Sequence, residues 1–293
     1  MSSWKYGSVV AKLAIQVKKR ILVYSTMKPK KSLGQNFLRD KTALARIIVA
    51  ANLSGAENIL EIGPGEGVLT ERLLEKAGRV LAVEKDEALA AKLQTQNLKF
   101  KTKIENEKLK IISQDILEIN LPKLLEENHF TQYRLVANIP YYITGKIIRL
   151  FLETQYQPEL IVLLTQKEVA ERIAEKDGKR SILSLAVGLF GQAEIVAYVP
   201  KESFYPAPKV ASAIVKIVPH SRRRSKEESL KLMRIIKIGF ASPRKTLLNN
   251  LAAGLKKEKN ALEKILIDSD IASDSRAETL SLEQWIKLEK VLR

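Results

Sequence analysis

Between residues 40 and 219, short apolar segments alternate with segments in which apolar residues recur at helical spacing. This alternation limits the possible folds more than any other feature of the chain. Asn58–Ile62 and Arg79–Glu84 are predicted as buried strands, each followed by a helix. Strands that alternate with helices of this length predict an α/β fold with a mainly parallel sheet and right-handed crossovers. Segments 192–199 and 210–218 are predicted as an antiparallel pair of strands that closes one edge.

After Pro219 the pattern becomes entirely helical. A charged linker at 222–226 comes first, and Ser242–Pro243 is predicted to begin a further helix as its N-cap and first residue. We therefore predict a small all-helical C-terminal domain. The expected regions are an N-terminal extension at 1–27, an α/β domain at 28–219 and a helical domain at 220–293.

The N-terminal extension is basic, with five Lys or Arg and no acid in residues 1–26. Three interpretations are compatible with it: a transit-peptide-like segment, an additional basic helix, or an upstream stretch in a protein whose translation starts at Met27. We favour the last, or a disordered extension. A clean apolar core of the kind found in signal peptides is missing, so we expect no secretion.

Basic charge is concentrated at the two ends of the chain. The formal net charge is +17, of which +9 lies in residues 1–41, +1 in residues 42–219 and +7 in residues 220–293. A near-neutral centre with basic ends predicts surfaces that meet a polyanion such as nucleic acid. A lysine-rich, solvated surface without such a partner is the alternative.

Residue usage excludes several kinds of site. The chain contains no cysteine and only two histidines, His129 and His220. Disulfides and thiolate metal ligands are therefore excluded, and a histidine-based metal site or a Ser-His-Asp triad is not expected. We expect no metal ion. No apolar run approaches the length of a membrane span, and we expect a cytoplasmic protein.

A glycine loop, Glu61-Ile62-Gly63-Pro64-Gly65-Glu66-Gly67, lies between a predicted strand and a helix. Such glycines let the backbone turn sharply and approach a ligand closely. Glu84 ends the next strand, where a carboxylate accepts hydrogen bonds from ribose hydroxyls. Asp115, after the third strand, is placed to accept the amino group of adenine, or alternatively to cap a helix.

Two classes of nucleoside cofactor fit a glycine loop of this kind. Dinucleotides require Gly-x-Gly-x-x-Gly to seat a pyrophosphate, whereas this loop has Gly-x-Gly-x-Gly with an acid, Glu66, that would repel it. The same loop tolerates the sulfonium and amino-acid part of S-adenosylmethionine. The sequence therefore favours the methyl donor over NAD.

Asn138-Ile139-Pro140-Tyr141 follows an apolar strand about 75 residues after the glycine loop. The Asn138 side-chain oxygen and the backbone carbonyl of Ile139 or Pro140 would hold the two N–H bonds of an exocyclic amine. Its lone pair would then point at the methyl group, so that positioning supplies most of the catalysis. Pro140 stiffens the loop, and Tyr141 would stack on an unstacked base. The alternative is an ordinary strand-to-helix turn.

A second aromatic and proline cluster, Phe204-Tyr205-Pro206-Ala207-Pro208-Lys209, lies between the two late strands. Phe204 would form the other wall of the base pocket. A proline-stiffened hairpin with a core aromatic is the alternative.

These motifs, in this order, resemble the rRNA adenine N6,N6-dimethyltransferase family. The similarity begins at Lys31-Ser32-Leu33-Gly34-Gln35-Asn36-Phe37-Leu38 and continues through the motifs above. It also includes Gln166-Lys167-Glu168-Val169, Phe204 to Val210 and Arg244-Lys245-Thr246-Leu247. The resemblance implies a Rossmann-like S-adenosylmethionine-dependent methyltransferase sheet. It implies that the methyl donor is contacted by residues from several motifs: Asn36, Leu38, Gly63, Glu84, Asp115 and Asn138. Tyr141 and Phe204 are implied to sandwich the target adenine.

The family has two branches, and the Phe-x-Pro-x-Pro-Lys-Val form with Arg244-Lys245-Thr246 favours the housekeeping one. Its members dimethylate two adjacent adenines in the 3′-terminal hairpin of small-subunit rRNA, whereas macrolide-resistance enzymes modify one large-subunit adenine. The chain departs from the family at Tyr142, where Asn is frequent, at Gly145-Lys146, which replaces a small residue and Pro, and at Ala211. Lys146 would reach an RNA phosphate or simply lie on a helix surface.

We predict that the chain is a monomeric enzyme that acts on small-subunit rRNA or a precursor of the small ribosomal subunit, with no membrane partner. A large-subunit methyltransferase, a mainly non-catalytic ribosome-assembly factor and a small-molecule methyltransferase remain the alternatives.

Overall fold

The computed structural model describes residues 29–100, 108–175, 180–220 and 225–292. The predicted N-terminal extension at 1–27 and most of the predicted linker at 222–226 lie outside these ranges. In chain order the strands and helices are β1 (Phe37–Leu38), α1 (Lys41–Ala50), β2 (Asn58–Ile62), α2 (Val68–Lys76), β3 (Arg79–Glu84), α3 (Glu87–Phe100), β4 (Leu109–Ser113), α4 (Leu121–Glu127), β5 (Arg134–Asn138), α5 (Thr144–Leu152), β6 (Leu160–Gln166), α6 (Lys167–Ile173), α7 (Ile182–Phe190), β7 (Gly191–Val199), β8 (Phe204–Tyr205), β9 (Ser212–Pro219), α8 (Lys226–Gly239), α9 (Leu247–Leu255), α10 (Lys259–Asp268) and α11 (Leu282–Leu292).

A seven-stranded sheet forms the centre of the molecule, in the order β4-β3-β2-β5-β6-β9-β7. The first five strands in that order are parallel, whereas β9 runs antiparallel to both β6 and β7. The predicted α/β fold and the antiparallel pair at the edge are therefore confirmed. A separate two-stranded ribbon pairs β1 with β8.

Both faces of the sheet are covered by helices, as an apolar parallel sheet requires. Successive residues of β2 point to opposite faces: Ile59 packs among apolar residues of α1 and α2, and Leu60 among those of α4 and α5. Ile59 and Leu60 are fully buried. Among the described residues, none of the helices is long and apolar enough to span a lipid bilayer.

The C-terminal helices α8 to α11 surround the fully buried Trp285 and pack onto α7. Helix α7 serves two cores, because Val187 and Phe190 join the core of the sheet while Leu185 and Ala186 join that of the C-terminal helices. The predicted all-helical region is confirmed. Its boundary at residue 220 stays a prediction, since α7 belongs to both cores.

The predicted helix start at Ser242–Pro243 is wrong. Helix α9 begins at Leu247, and the Thr246 hydroxyl caps it by accepting a hydrogen bond from the Asn249 backbone N–H. Residues 242–246 form a turn instead. The buried Asn250 side chain holds that turn closed by donating to the carbonyls of Gly239 and Ser242 at 2.7 and 3.1 Å. This contact from the following helix satisfies backbone carbonyls at the end of α8 and in the turn.

We predict that Gly239→Ala destabilises the protein. A Cβ at this position would lie 2.3 Å from Cη2 of Trp285 and 2.9 Å from Cδ1 of Leu247, so the core must shift. Overpacking of this kind costs about 1–3 kcal/mol. The control is Gly188→Ala in α7, where the new Cβ would make an ordinary 3.5 Å contact with Leu282 and alanine favours the helix. Urea denaturation should show a lower midpoint for Gly239→Ala only; equal midpoints would contradict the packing described.

Candidate active site

A deep cleft opens at the carboxyl ends of β2, β3, β4 and β5. The chain leaves β2 for β3 on one side and later returns to β5 on the other, so the cleft lies where the strand order reverses, the usual ligand position in such sheets. The cleft is concave and mostly apolar with a few converging polar groups, as small-molecule sites are. Its walls come from the glycine loop, the ends of β3 and β5, and the segment before α1.

At its three glycines, the glycine loop exposes backbone atoms directly to the cleft. Gly63, Gly65 and Gly67 all have positive φ angles, of 67°, 58° and 84°. A Cβ on Gly65 would lie 3.1 Å from the Phe37 ring, and one on Gly63 would lie 3.6 Å from the Asn138 carbonyl oxygen. Only glycine therefore gives both the conformation and the close approach that the sequence predicts.

Glu84 joins this loop to the end of β3. One carboxylate oxygen accepts a hydrogen bond from the Gly65 backbone N–H at 3.0 Å, and the other accepts one from the Asp86 backbone N–H at 2.9 Å. The side chain is buried, and burial raises its pKa while these two hydrogen bonds oppose the rise. The carboxylate is thus fixed in orientation, and each oxygen keeps a second lone pair for a ligand hydroxyl.

Asp115 occupies the other side of the cleft. One oxygen accepts a hydrogen bond from the Leu117 backbone N–H at 3.0 Å, and the other pairs with the Lys85 ammonium group at 2.7 Å. Burial raises the pKa of Asp115, but the Lys85 hydrogen bond and charge lower it overall and keep the carboxylate ionised. Asp115 therefore holds a turn and also lines the cleft. The alternative interpretation as a helix N-cap is wrong, because the next helix begins at Leu121 and is capped by Asn120.

Asp86, which the sequence interpretation missed, anchors the segment before α1. Its buried carboxylate accepts hydrogen bonds from the Lys30 ammonium group at 2.8 Å and from the Gln35 amide at 3.0 Å. Asn36 follows with its amide donating to the Gly34 carbonyl, and Leu38 is buried. Both predicted residues of this segment line the cleft. The sequence pattern that could have identified Asp86 is an acid two positions after Glu84, just beyond the end of β3.

Two further acids in the cleft wall, Glu61 and Glu66, were quoted in the glycine loop but not assigned as ligand contacts. Glu61 is 1% exposed, and neither of its oxygens has a hydrogen-bond partner among the described residues. Burial raises the pKa of Glu61 to about 8; the nearby Thr70 hydroxyl opposes this rise and the Glu84 charge reinforces it. Glu66 is also buried, with Arg39 at 3.5 Å. An unpaired buried carboxyl is costly, so a cleft that contains one is suited to a positively charged ligand group.

The Asn138–Tyr141 motif forms the floor of the cleft at the end of β5. Within the described part of the chain, the Asn138 side-chain amide forms no hydrogen bond. The Pro140 carbonyl accepts a hydrogen bond from the Ile143 backbone N–H at 3.2 Å, which fixes the turn. The Tyr141 hydroxyl lies 2.7 Å from the hydroxyl of Ser212 on β9, and burial raises the pKa of Tyr141. The ring is therefore anchored, while the Asn138 amide remains available to a ligand.

Phe204 is placed differently from the other predicted residues. It is 5% exposed, pairs with Leu38 across the β1–β8 ribbon, and packs in the core on the α1 side of the sheet. Every other predicted site residue lines the cleft, whereas Phe204 does not. Its role as a wall of the base pocket stays a prediction. Across the described ranges, no cluster of three or more His, Asp or Glu side chains is arranged to hold a metal ion.

Comparison with known proteins gives consistent matches over nearly the whole chain. Residues 26–291 match the family model for ribosomal RNA adenine dimethylase. The chain is 42% identical over 264 residues to ribosomal RNA small subunit methyltransferase A of Dehalococcoides mccartyi, covering 90% of this chain and 88% of that one. It is 39% identical over 282 residues to the protein of the same name from Latilactobacillus sakei, covering 94% and 93%.

Two solved structures at 26% identity share the fold. A dimethyladenosine transferase from Plasmodium falciparum superposes with a TM-score of 0.69, covering 86% of this chain and 95% of that one. The 23S rRNA methyltransferase ErmE superposes with a TM-score of 0.67, covering 88% and 99%. The arrangement of sheet, glycine loop and Asn138–Tyr141 motif is thus accompanied by similarity over residues 26–291. The chain belongs to the ribosomal RNA adenine dimethylase family.

Proposed function

We propose that the protein dimethylates the N6 atoms of two adjacent adenines in the 3′-terminal hairpin of small-subunit rRNA, with S-adenosylmethionine as methyl donor. The observation that carries this proposal is the Asn138 amide. It has no hydrogen-bond partner among the residues that the structure describes, and it lies in a cleft whose other walls suit a nucleoside. Because the curated relatives at 42% and 39% identity are named as small-subunit methyltransferases, the small subunit is favoured over the 23S rRNA of the ErmE neighbour at 26%.

The residues of the cleft fit S-adenosylmethionine, which supplies a methyl group on a positively charged sulfur. Glu84, fixed by two backbone N–H groups, would accept hydrogen bonds from the ribose hydroxyls. Asp115, kept ionised by Lys85, would accept one from the adenine amino group. The glycine loop would leave room for the donor to approach the backbone at Gly63 and Gly65. Asn36 and Leu38 would close over it from the segment that Asp86 anchors.

Glu61 gives the cleft a site for the α-ammonium group of the methyl donor. Its carboxyl is buried, and among the described residues only the Thr70 hydroxyl lies near enough to influence it as a hydrogen-bonding group. A cationic partner is the group that best offsets the cost of burying its charged form. When the methyl donor is absent, protonation removes the charge of this carboxyl but does not supply the cationic partner. A ligand ammonium would favour the carboxylate and lower the pKa of Glu61 on binding.

Asn138 and Tyr141 would position the target adenine without a general base. An asparagine amide does not accept a proton at neutral pH, and no histidine lines the cleft. The Asn138 oxygen and a carbonyl of the Ile139–Pro140 turn would hold the two N–H bonds, and the anchored Tyr141 ring would stack on the base. Catalysis by orientation of this kind can lower a barrier by several kcal/mol.

The basic ends of the chain supply the affinity for RNA that the near-neutral α/β region lacks. Their net charges of +9 and +7 would neutralise phosphates and make binding weaken steeply with salt. We propose that the enzyme works as a monomer in the cytoplasm, where small subunits are assembled.

Asn138→Ala is expected to lower kcat for methylation of small subunits by about a hundredfold or more, since the amine loses a positioning acceptor. Binding to the subunit should persist. The matched control is Asn58→Ala. Asn58 lies at the first residue of β2, at the edge of the sheet away from the cleft, and its amide donates to the Gln132 carbonyl. Labelled methyl transfer and subunit pelleting measure the two properties. Full methylation by Asn138→Ala would contradict the proposed function, whereas lost subunit binding would show damage beyond the reaction.

Cofactor binding is expected to release a proton from Glu61. Because burial raises the pKa of Glu61 to about 8, the carboxyl is mostly protonated at pH 7 and must ionise when an ammonium group arrives. Calorimetry with S-adenosylhomocysteine in two buffers of different ionisation enthalpy should detect release of nearly one proton, fading above about pH 8. Glu61→Gln should abolish it, and the exposed Glu75→Gln should not. Binding of wild-type protein without proton release would contradict this role.

A further inference from the structure

Tyr142 is an exposed aromatic residue at the mouth of the cleft that the proposed reaction does not use. Its side chain is 63% exposed, although it lines the same cleft as its neighbour Tyr141. Tyr141 turns inward and bonds Ser212, whereas the Tyr142 hydroxyl has no hydrogen-bond partner within the part of the chain that the structure describes. An exposed aromatic ring that lines an active-site cleft offers a surface on which a substrate base can stack.

The Tyr142 ring lies close to Gly34, on the wall of the cleft. Gly34 has φ of +62°, and a Cβ built on it would lie 3.3 Å from Cε1 of Tyr142 and 3.5 Å from Cβ of Pro140. The ring therefore rests close against the wall of the cleft. It belongs to none of the apolar cores, so core packing does not account for it.

Lys146 adds a positive charge four residues after Tyr142. Its side chain is exposed and lines a neighbouring shallow pocket together with Arg149 and Leu183. Its charge also contributes to the lowered pKa of Asp115, which lines the cleft. The neighbouring Lys85 is paired with Asp115. Lys146 forms no ion pair with any residue in the described ranges, which leaves its charge available to an anion.

We propose that Tyr142 and Lys146 form a subsite for the nucleotide adjacent to the target adenine. The base of that nucleotide stacks on the Tyr142 ring, and its phosphate pairs with the Lys146 ammonium group. This inference rests on the proposed function, because only an RNA substrate brings a second nucleotide to this rim. Moving the target adenine into the cleft breaks its stacking with its neighbour, and an aromatic platform replaces the lost contact.

The subsite also suits a substrate with two adjacent adenines. While one adenine occupies the floor at Asn138, the other is held next to it on Tyr142, so the enzyme grips both targets during each transfer. Tyr142 and Lys146, two of the residues at which the sequence differs from the family pattern, would then both contact the same nucleotide.

The test compares Tyr142→Ala, Tyr142→Phe and Lys146→Ala in the full-length enzyme on small subunits that lack the modification. Tyr142→Ala should raise KM for subunits about tenfold, as loss of one stacked base predicts, and change kcat less. Tyr142→Phe should restore KM because it keeps the ring. Lys146→Ala should reduce the slope of log KM against log salt concentration by about one. Exposed control residues elsewhere on the sheet, altered as Tyr198→Ala and Lys110→Ala, should change neither quantity.

The affinity for S-adenosylhomocysteine, measured by calorimetry, separates this role from that of a cover over the cofactor. The subsite predicts an unchanged Kd in Tyr142→Ala. A wild-type KM in Tyr142→Ala would overturn the inference, and so would a Kd that rises as much as KM. Wild-type enzyme that leaves small subunits unmethylated would overturn the proposed function itself, an outcome visible before any variant is compared.

Discussion

The cleft depends on one carboxylate, that of Glu84, and the two backbone N–H groups that bind it. Through Gly65 it holds the glycine loop, and through Asp86 it holds the start of the chain segment that leads into α3. Asp86 in turn binds Lys30 and Gln35, so the segment before α1 is tied to the same point. Three parts of the chain that are distant in sequence thus meet at the end of β3. Hydrogen bonds to a charged group are stronger than neutral ones, which suits this junction.

The concentration of buried acid around that junction has a consequence for the ligand. Glu61, Glu66 and Glu84 lie together in a wall that contains few compensating cations, and burial raises the pKa of all three. A pyrophosphate would raise these pKa values further, because its charge opposes ionisation of the same carboxyls. A ligand with a cationic amino-acid part and ribose hydroxyls would offer positive charge to the buried acids and hydrogen-bond donors to Glu84. The electrostatics of the protein therefore select the kind of nucleoside before any specific contact is considered.

Features set by nearby sequence could be predicted, whereas those set by distant pairing could not. The strand–helix alternation, the glycine loop and the position of Glu84 at a strand end follow from local patterns, and the structure has them where the sequence predicted. The contacts of Asp86 span more than 50 residues along the chain, and the Tyr141–Ser212 contact spans 71. Phe204 is buried because β8 pairs with β1, and no local signal announces that pairing. The false helix start at Ser242 has the same origin, since Asn250 closes the turn from the next helix.

The most direct test is to map the methyl groups that the purified protein adds to unmodified ribosomal subunits with labelled S-adenosylmethionine. Label is expected on two adjacent adenines of the 3′-terminal hairpin of small-subunit rRNA, with two methyl groups on the N6 atom of each. Label confined to large-subunit RNA, or found on no RNA at all, would contradict it.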